Sequence, residues 1–492
     1  MKNLLSKTYS KITKIASTRV FEIAAVILLL LAGFAVRLWK IDSPIADWHS
    51  WRQADTASVA RIYRDEGINV LFPKYYDIST IQTGSYNPQG LRLVEFPIYS
   101  VIHAAVSSAV PSVSFEVWGR LISIVCSLGS AYLLYLIGRK LYGKWTGLAA
   151  AFLFLFIPYN IYFSRVILPE PMTVFFGLAA LCFFLIFIEN ENVWMVILSG
   201  VFLALSTLLK PFTFVYALPM LYLAVKKYGF WGIFRKKALL FFADIAVIPF
   251  LLWRAWENKY PTGIPGFGWI FNSDEIRFRP SFWFWMFGER IGKLILGVWG
   301  MIPFSMGLLK IKKNNLFGLF FVIGVLLYVV VVATANVRHD YYQVLLVPAI
   351  VLITAQGIVE LWNAENFNKI ISRSLLVFSV FLMLVIGYVQ AKPYYQINHY
   401  EIVDAGAAVD RLTPKDAVVI ATYNGDTAFL YQTKRYGFPI VDRSFDELVS
   451  KYNASYFVTV NWADPDTKYV EERYKVIEKT GTYMIADLTQ KK

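Results

Sequence analysis

Ten consecutive residues hold an unusual density of reactive groups: Asp47-Trp48-His49-Ser50-Trp51-Arg52-Gln53-Ala54-Asp55-Thr56. Two carboxylates, an imidazole, a guanidinium and a primary amide follow the first long apolar run by a few residues. A carboxylate held at a bilayer surface can act as general base on an acceptor hydroxyl. It can also ligate a divalent cation, for which Asp55 and Glu170 are the pair to consider. Arg52 can hold a phosphate or extend its head toward the lipid surface. A blander account of the same stretch makes Asp47 a helix cap in an Asp-x-x-Ser pattern. It leaves Asp55 as a solvated loop acid and Trp48 and Trp51 as interface aromatics.

Further candidates lie downstream. Glu95 stands in Glu-Phe-Pro-Ile-Tyr. Glu170 sits between two prolines, where an acid also suits the first turn of a helix, and Arg165 precedes it by five residues. Lys210 ends an apolar run before Pro211, placed to hold a lipid phosphate or to reach the interface. Arg338, His339, Tyr341 and Tyr342 form a group that can clamp a phosphate or headgroup, or belong to an interfacial belt. No phosphate-binding glycine loop, dinucleotide-binding glycine pattern or Cys/His metal spacing is present, so a nucleotide-driven reaction is unsupported and a membrane-borne donor is favoured.

These residues need a frame to bring them together, and composition says which kind. Of 492 residues, 57% are hydrophobic and 17% charged, against about 25% charged in soluble proteins; mean hydropathy is +0.50. The expectation is an all-α polytopic membrane protein. The net charge of +14 then reflects basic inner loops facing anionic lipid rather than nucleic acid. Cys126 and Cys182 lie in apolar runs and suggest no disulfide framework. The first apolar run is too long for a cleaved signal and reads as an anchor.

Eleven spans are expected: Phe21–Trp39, Leu121–Gly138, Thr146–Tyr159, Pro171–Ile188, Val193–Leu209, Phe212–Val225, Ala238–Trp256, Ile291–Leu309, Leu316–Thr334, Gln343–Trp362 and Ser374–Gln390. Phe96–Val110 is short for a span and suits an interfacial helix, so residues 40–119 read as one long external loop. This count puts most Lys and Arg on the inner side, from Lys2 at the N-terminus to Arg373, and leaves Arg165, Lys210 and Arg338 in short outer loops. The bias fixes a cytoplasmic N-terminus and an extracytoplasmic C-terminus in a plasma (inner) membrane protein. All the candidate residues named above then share the outer face, where intramembrane and juxtamembrane charges are functional by default. Residues 395–492 read as a separate extracytoplasmic α/β domain: a helix over Val403–Leu412, strands at Ala417–Ala421, Tyr456–Val460 and Tyr483–Leu488, and a helix at Phe445–Tyr452. Residues 1–394 form the membrane domain.

In order and spacing the motifs resemble the GT-C glycosyltransferases, specifically glycosyltransferase family 39, which contains the protein O-mannosyltransferases and the lipid A aminoarabinose transferases. The resembling pieces are His49-x-Trp51-Arg52-Gln53-Ala54-Asp55-Thr56-Ala57, Val94-Glu95-Phe96-Pro97-Ile98-Tyr99, Gly138-Arg139-Lys140-Leu141-Tyr142-Gly143, Ser164-Arg165-x-x-x-Pro169-Glu170, Leu209-Lys210-Pro211 and His339-x-Tyr341-Tyr342. The resemblance implies an inverting transfer of a hexose or pentose from a polyprenyl-phosphate donor on the outer face. It implies Asp55 as the base, with Asp47 the alternative, and Glu170 as a second acid where many relatives have Asp. Arg52 and Lys210 would hold the lipid phosphate, and His339 and Tyr342 would line the donor site. Trp269, Trp283 and Trp285 can shelter the lipid chain or the sugar, or form an aromatic belt. The acceptor would be a protein, lipid or glycan. The rival class is a transporter or lipid flippase, which would set its ionisable residues near the bilayer midplane on broken helices of a repeat. A third possibility is an inactive scaffold presenting the C-terminal domain.

Overall fold

A computed structural model describes residues 18–365 and 367–492. The basic segment before them, with Lys2, Lys7, Lys11 and Lys14, lies outside the described residues. The rest is a helical bundle closed at one end by a small mixed sheet. Among the described residues six helices are long and apolar enough to cross a bilayer: Arg19–Arg37, Phe115–Tyr142, Glu170–Asn190, Lys237–Glu257, Asp340–Trp362 and the one that starts at Lys369. Lys144–Phe156, Val193–Leu209 and Phe317–Val331 are apolar but shorter. Large apolar side chains point outward along them, including Val20, Leu28, Leu251, Leu252 and Ile370. Such a surface is stable only where hydrocarbon, not water, is the solvent, because helices satisfy every backbone polar group internally.

Each of the eleven expected segments falls on helix, but several are interrupted. Ile291–Leu309 divides into a wide helical coil ending at Ile295 and a separate helix Met301–Leu309. The break has a local cause. Gly297 and Val298 take left-handed backbone conformations, and a Cβ on Gly297 would lie 2.1 Å from the Met383 carbonyl oxygen. Only glycine lets the two chains approach so closely.

Between Arg37 and Phe115 lie two helices, Ser50–Glu66 and Ile98–Ala109. Ile98–Ala109 has twelve residues, too few for a span. Ser50–Glu66 does not lie on a surface: nearly every residue from Ser50 to Tyr63 is buried. Its N-terminus is set by His49 in the left-handed region (φ 55°), with no side-chain cap. Asp47 therefore does not cap it, and Asp55 is an enclosed helical residue rather than a solvated loop acid.

The C-terminal part forms a five-stranded sheet in the order β2-β1-β3-β5-β4, where β1 is Val418–Ala421, β2 Gly437–Phe438, β3 Ala454–Thr459, β4 Tyr474–Lys479 and β5 Met484–Lys491. β1 runs parallel to β2 and β3; β5 is antiparallel to β3 and β4. Side chains alternate between faces with the strand period of two. Ile420, Phe457, Met484 and Ala486 pack under the helices Phe445–Tyr452 and Pro465–Arg473. Val419, Ala421, Val458 and Ile485 join the helices Tyr400–Leu412 and Thr427–Thr433. That second core continues into Ala54, Ala57 and Ala60 of the loop helix. Small side chains there let Thr427–Thr433 lie directly on Ser50–Glu66, so one apolar core spans both regions. Sequence alternation marks β1, β3, β5 and the helices at 400–412 and 445–452. β2, β4 and the helices Thr427–Thr433 and Pro465–Arg473 were not expected.

Candidate active site

The helix Ser50–Glu66 presents Arg52, Asp55 and Arg61, and each finds a charged partner from elsewhere in the chain: Glu95, Arg92 and Glu116. Arg52 Nη2 donates to Glu95 Oε1 at 2.5 Å. Burial alone would raise the Glu95 carboxyl; the charges of Arg52, Lys210 and Arg92 outweigh it and hold the group at about 2. Burial works against the Arg52 guanidinium as well, but Glu95 and Glu170 push its pKa above the ordinary arginine value. Lys210 Nζ lies 3.0 Å from Glu170 Oε1. Asp55 is completely buried. Its Oδ2 accepts from Arg92 Nη2 at 2.7 Å and its Oδ1 from the Thr427 hydroxyl at 2.7 Å.

Behind this row lies a second layer. Asp47 Oδ1 accepts from Gln53 Nε2 at 2.6 Å, and Gln53 Oε1 receives the backbone N–H of Ile167 at 3.2 Å. Gln53 thus ties the loop to the segment that leads into Glu170. Burial raises the Asp47 pKa, opposed by Arg120 and Arg165. Arg165 is itself buried, donates to the Trp39 carbonyl and stacks over Tyr395 at 4.9 Å. It is an internal strut rather than an interface anchor. His49 Nε2 lies 2.5 Å from Asp340 Oδ1. Asp340 also accepts from Trp48 Nε1 at 3.2 Å and from the Tyr394 hydroxyl at 2.5 Å. Trp48 stacks on Tyr394 at 5.6 Å, so it is packed inside and not part of an interface belt.

These groups border a cavity of about 1080 Å³. Arg52, Arg92, Glu95, Lys210, Tyr341, Tyr342 and Trp269 line it, with Phe212, Phe250 and Phe271 toward the bundle and Gln82, Gly84 and Asn424–Thr427 toward the sheet. Its charged lining is Arg52, Arg92, Lys210 and Arg254 against Glu95 and Asp426. Burial lifts Asp426 to about 6, so it stays mostly ionised near neutrality. Each of these cations has a carboxylate within 3.0 Å (Arg52 with Glu95, Arg92 with Asp55, Lys210 with Glu170, Arg254 with Glu257), so the site offers paired cations that keep spare donors within mainly aromatic and aliphatic walls.

A family model for dolichyl-phosphate-mannose-protein mannosyltransferases matches residues 103–256. ArnT from Cupriavidus metallidurans in the apo state superposes with a TM-score of 0.63 at 11% identity, over 95% of this chain and 97% of that one. The same protein bound to undecaprenyl phosphate gives 0.62 at 13% identity, over 95% and 97%. The Archaeoglobus fulgidus oligosaccharyltransferase in the apo form gives 0.58 at 12% identity, over 93% and 73%. The chain has the GT-C fold. No curated protein matches it by sequence. Within the GT-C fold of this chain, most site residues expected from sequence gather at or beside one cavity. Arg52, Glu95, Lys210, Tyr341 and Tyr342 line it; Asp55 and Glu170 stand directly behind Arg92 and Lys210. Asp47, His49, Gln53 and Arg165 belong to the second layer. His339 stacks among Trp51, Trp269 and Tyr342, and burial, helped by His49, lowers it to about 4. Arg338 is half exposed, beside Asp274 at 3.6 Å. Trp283 and Trp285 are partly exposed and do not line the cavity.

The donor set does not suit a divalent cation at Asp55 and Glu170. Each carboxylate already faces a cationic partner, Arg92 or Lys210, and among the described residues no three or more acidic, His or Cys side chains group as ligands. Sequence reasoning missed Arg92, Arg254, Asp426, Thr427 and the Asp340 hub. Arg92 carried the best available signal, three residues before Glu95 in the same motif region. Thr427 follows Asp426 at the start of a helix, a recognisable cap position, but nothing local links it to Asp55.

Proposed function

We propose that the protein is a membrane glycosyltransferase that moves a hexose or pentose from a polyprenyl-phosphate donor to a protein, lipid or glycan acceptor on the outer face. The observation that carries this reading is the row of cations Arg52, Arg92 and Lys210 on the wall of an otherwise apolar, aromatic cavity. A lipid phosphate has a matching anionic head and apolar tail. Arg52 and Lys210 each spend one donor on a carboxylate and retain others for the phosphate. The acceptor oxygen attacks the anomeric carbon, the bond from that carbon to the phosphate oxygen breaks, and the configuration inverts. The acceptor proton passes to Asp55, with Asp47 the alternative base. The departing phosphate needs little protonation, because Arg52 and Lys210 neutralise its charge. Glu95 and Glu170 orient those two cations. Tyr342 and His339 line the donor side, and Trp269 shelters the sugar or the first lipid units.

Eleven membrane passes, with a cytoplasmic N-terminus and residues 395–492 as an extracytoplasmic domain on a 1–394 membrane domain, complete the proposal. The charge bias of the loops supports that orientation. The flippase alternative draws no support from a fold shared with glycosyltransferases.

The test is direct. The full chain in lipid nanodiscs is incubated with mannosyl and arabinosyl undecaprenyl phosphates, and released undecaprenyl phosphate is followed by mass spectrometry. Release by the native chain, abolished in a folded Asp55→Asn variant, is the expected result. Full activity in Asp55→Asn removes Asp55 from the role of base; no release from any polyprenyl-phosphate sugar refutes the transferase reading.

A further inference from the structure

Asp55 is held from two directions by groups that reach it across long stretches of chain. Arg92 Nη2 fixes Oδ2, and Arg92 is held in turn by Gln82 Oε1 at 2.7 Å and by the Tyr75 ring at 5.1 Å. Oδ1 is fixed by Thr427, 372 residues away. The Thr427 hydroxyl has a single proton, and the Trp51 carbonyl lies farther off at 3.2 Å, so the carboxylate takes it. Thr427 lines the cavity while Asp55 does not. Without the threonine, one end of the carboxylate would be free to rotate.

The segment carrying Thr427 is itself anchored. Asp426 accepts the N–H of Ala428 at 2.7 Å and starts the helix. One turn on, Arg61 donates to the Tyr431 carbonyl at 2.9 Å, its guanidinium lies 3.8 Å from the Tyr431 ring centre, and the Tyr431 hydroxyl donates to Glu116 at 2.7 Å. Gln432 Nε2 donates to the Ile45 carbonyl at 2.8 Å. On the other side Gly425 has φ +78°, and a Cβ there would meet Ile81 Cδ1 at 2.3 Å. The loop is thus seated closely against Ile81, and the threonine is presented by a fixed frame.

We infer that Thr427 is a positioning residue of the transfer site, supplied by the C-terminal region to fix the orientation of the Asp55 carboxylate at the cavity wall. This rests on the reading of Asp55 as base. Thr427→Val keeps the side-chain shape and removes the donor, whereas Thr427→Ser restores it. In nanodiscs, with whichever mannosyl or arabinosyl undecaprenyl phosphate the native chain turns over, Thr427→Val should lose about 10- to 100-fold in kcat with donor KM little changed. Thr427→Ser should recover most of the rate. A second measurement needs no donor. The carboxylate infrared band assigned to Asp55, by its loss in Asp55→Asn, should shift in Thr427→Val and return in Thr427→Ser. An unmoved band, or a Thr427→Val rate close to native, overturns the inference. Full activity in Asp55→Asn refutes the base assignment instead, while the infrared band still decides whether Thr427 holds the carboxylate.

Discussion

Replacing Glu95 by glutamine tests how tightly the cationic row is tuned. The substitution keeps the side chain's shape and one acceptor but removes the charge that faces Arg52 at 2.5 Å. In the folded protein the Glu95 carboxyl is held at about 2 against an ordinary 4.5. That depression corresponds to about 3 kcal/mol of preference for the ionised form. The Glu95 side chain is 15% exposed, so water entering the cavity trims the value toward about 2 kcal/mol. A cycle of Glu95→Gln, Arg52→Gln and the double variant, unfolded by denaturant in detergent, isolates the pair. A coupling of about 2–3 kcal/mol is expected. A coupling below about 1 kcal/mol, the value of an exposed ion pair, would refute the reasoning. The pH dependence supplies an independent check. The folded pKa is depressed, so this contribution is fully present above about 4.5 and is lost as pH falls toward 2. Glu95→Gln should flatten the stability profile over that window and lower stability by the same amount at neutral pH and above.

Lys210→Met leaves the buried Glu170 without its cation and should cost about 3–5 kcal/mol. The Lys210→Met/Glu170→Gln double variant should regain stability but not the thermal upshift that added undecaprenyl phosphate gives the native chain; an upshift of native size would remove Lys210 from the phosphate site. Asp77 is buried and lifted to about 6 by that burial, against the hydrogen bonds from Ser79. Its folded pKa is raised, so the associated stability is fully present below about 4 and lost as pH rises through 6. Asp77→Asn should therefore remove that loss and stabilise the protein at pH 8 by up to about 3 kcal/mol, read from unfolding curves at pH 4 and pH 8. Tyr431→Phe deletes the hydroxyl that donates to Glu116 and should cost about 1–2 kcal/mol, with faster proteolysis near residue 395 as the second sign.

Hydropathy placed the helices well because a lipid-facing surface demands long apolar runs, whatever the tertiary detail. Alternation likewise exposed β1, β3 and β5, whose two faces pack under different helices. β2 has two residues and β4 alternates buried with exposed positions on the sheet edge, so neither offers a long pattern. The interruption of Ile291–Leu309 was visible only as Gly297 and Gly300, and the reason for it, the Met383 carbonyl, is a contact from another helix. In the site, Arg52, Glu95, Lys210 and Glu170 were legible because polar residues stand out beside membrane helices. Their pairing was not, since ion pairs join residues 43 and 40 positions apart. Trp48 and Arg165 suit an interface by residue type and prove internal, because Asp340 and the Trp39 carbonyl satisfy their polar ends. Nothing near Asp340 in sequence points to the partners it gathers, Trp48, His49 and Tyr394.

The wall of the cavity is written at both ends of the gene. Residues 51–95 supply the first charges, and Asn424–Thr427 close the opposite side. A ribosome making this chain will have delivered Arg52, Glu95 and Lys210 into the membrane well before it reaches codon 427. Until then one side of the chamber is missing and Asp55 lacks one of its two fixed partners. A product truncated before the helix Thr427–Thr433 would hold the bundle without its closure. In this architecture the last fifth of translation, rather than insertion of the bundle, sets the moment at which the site is finished.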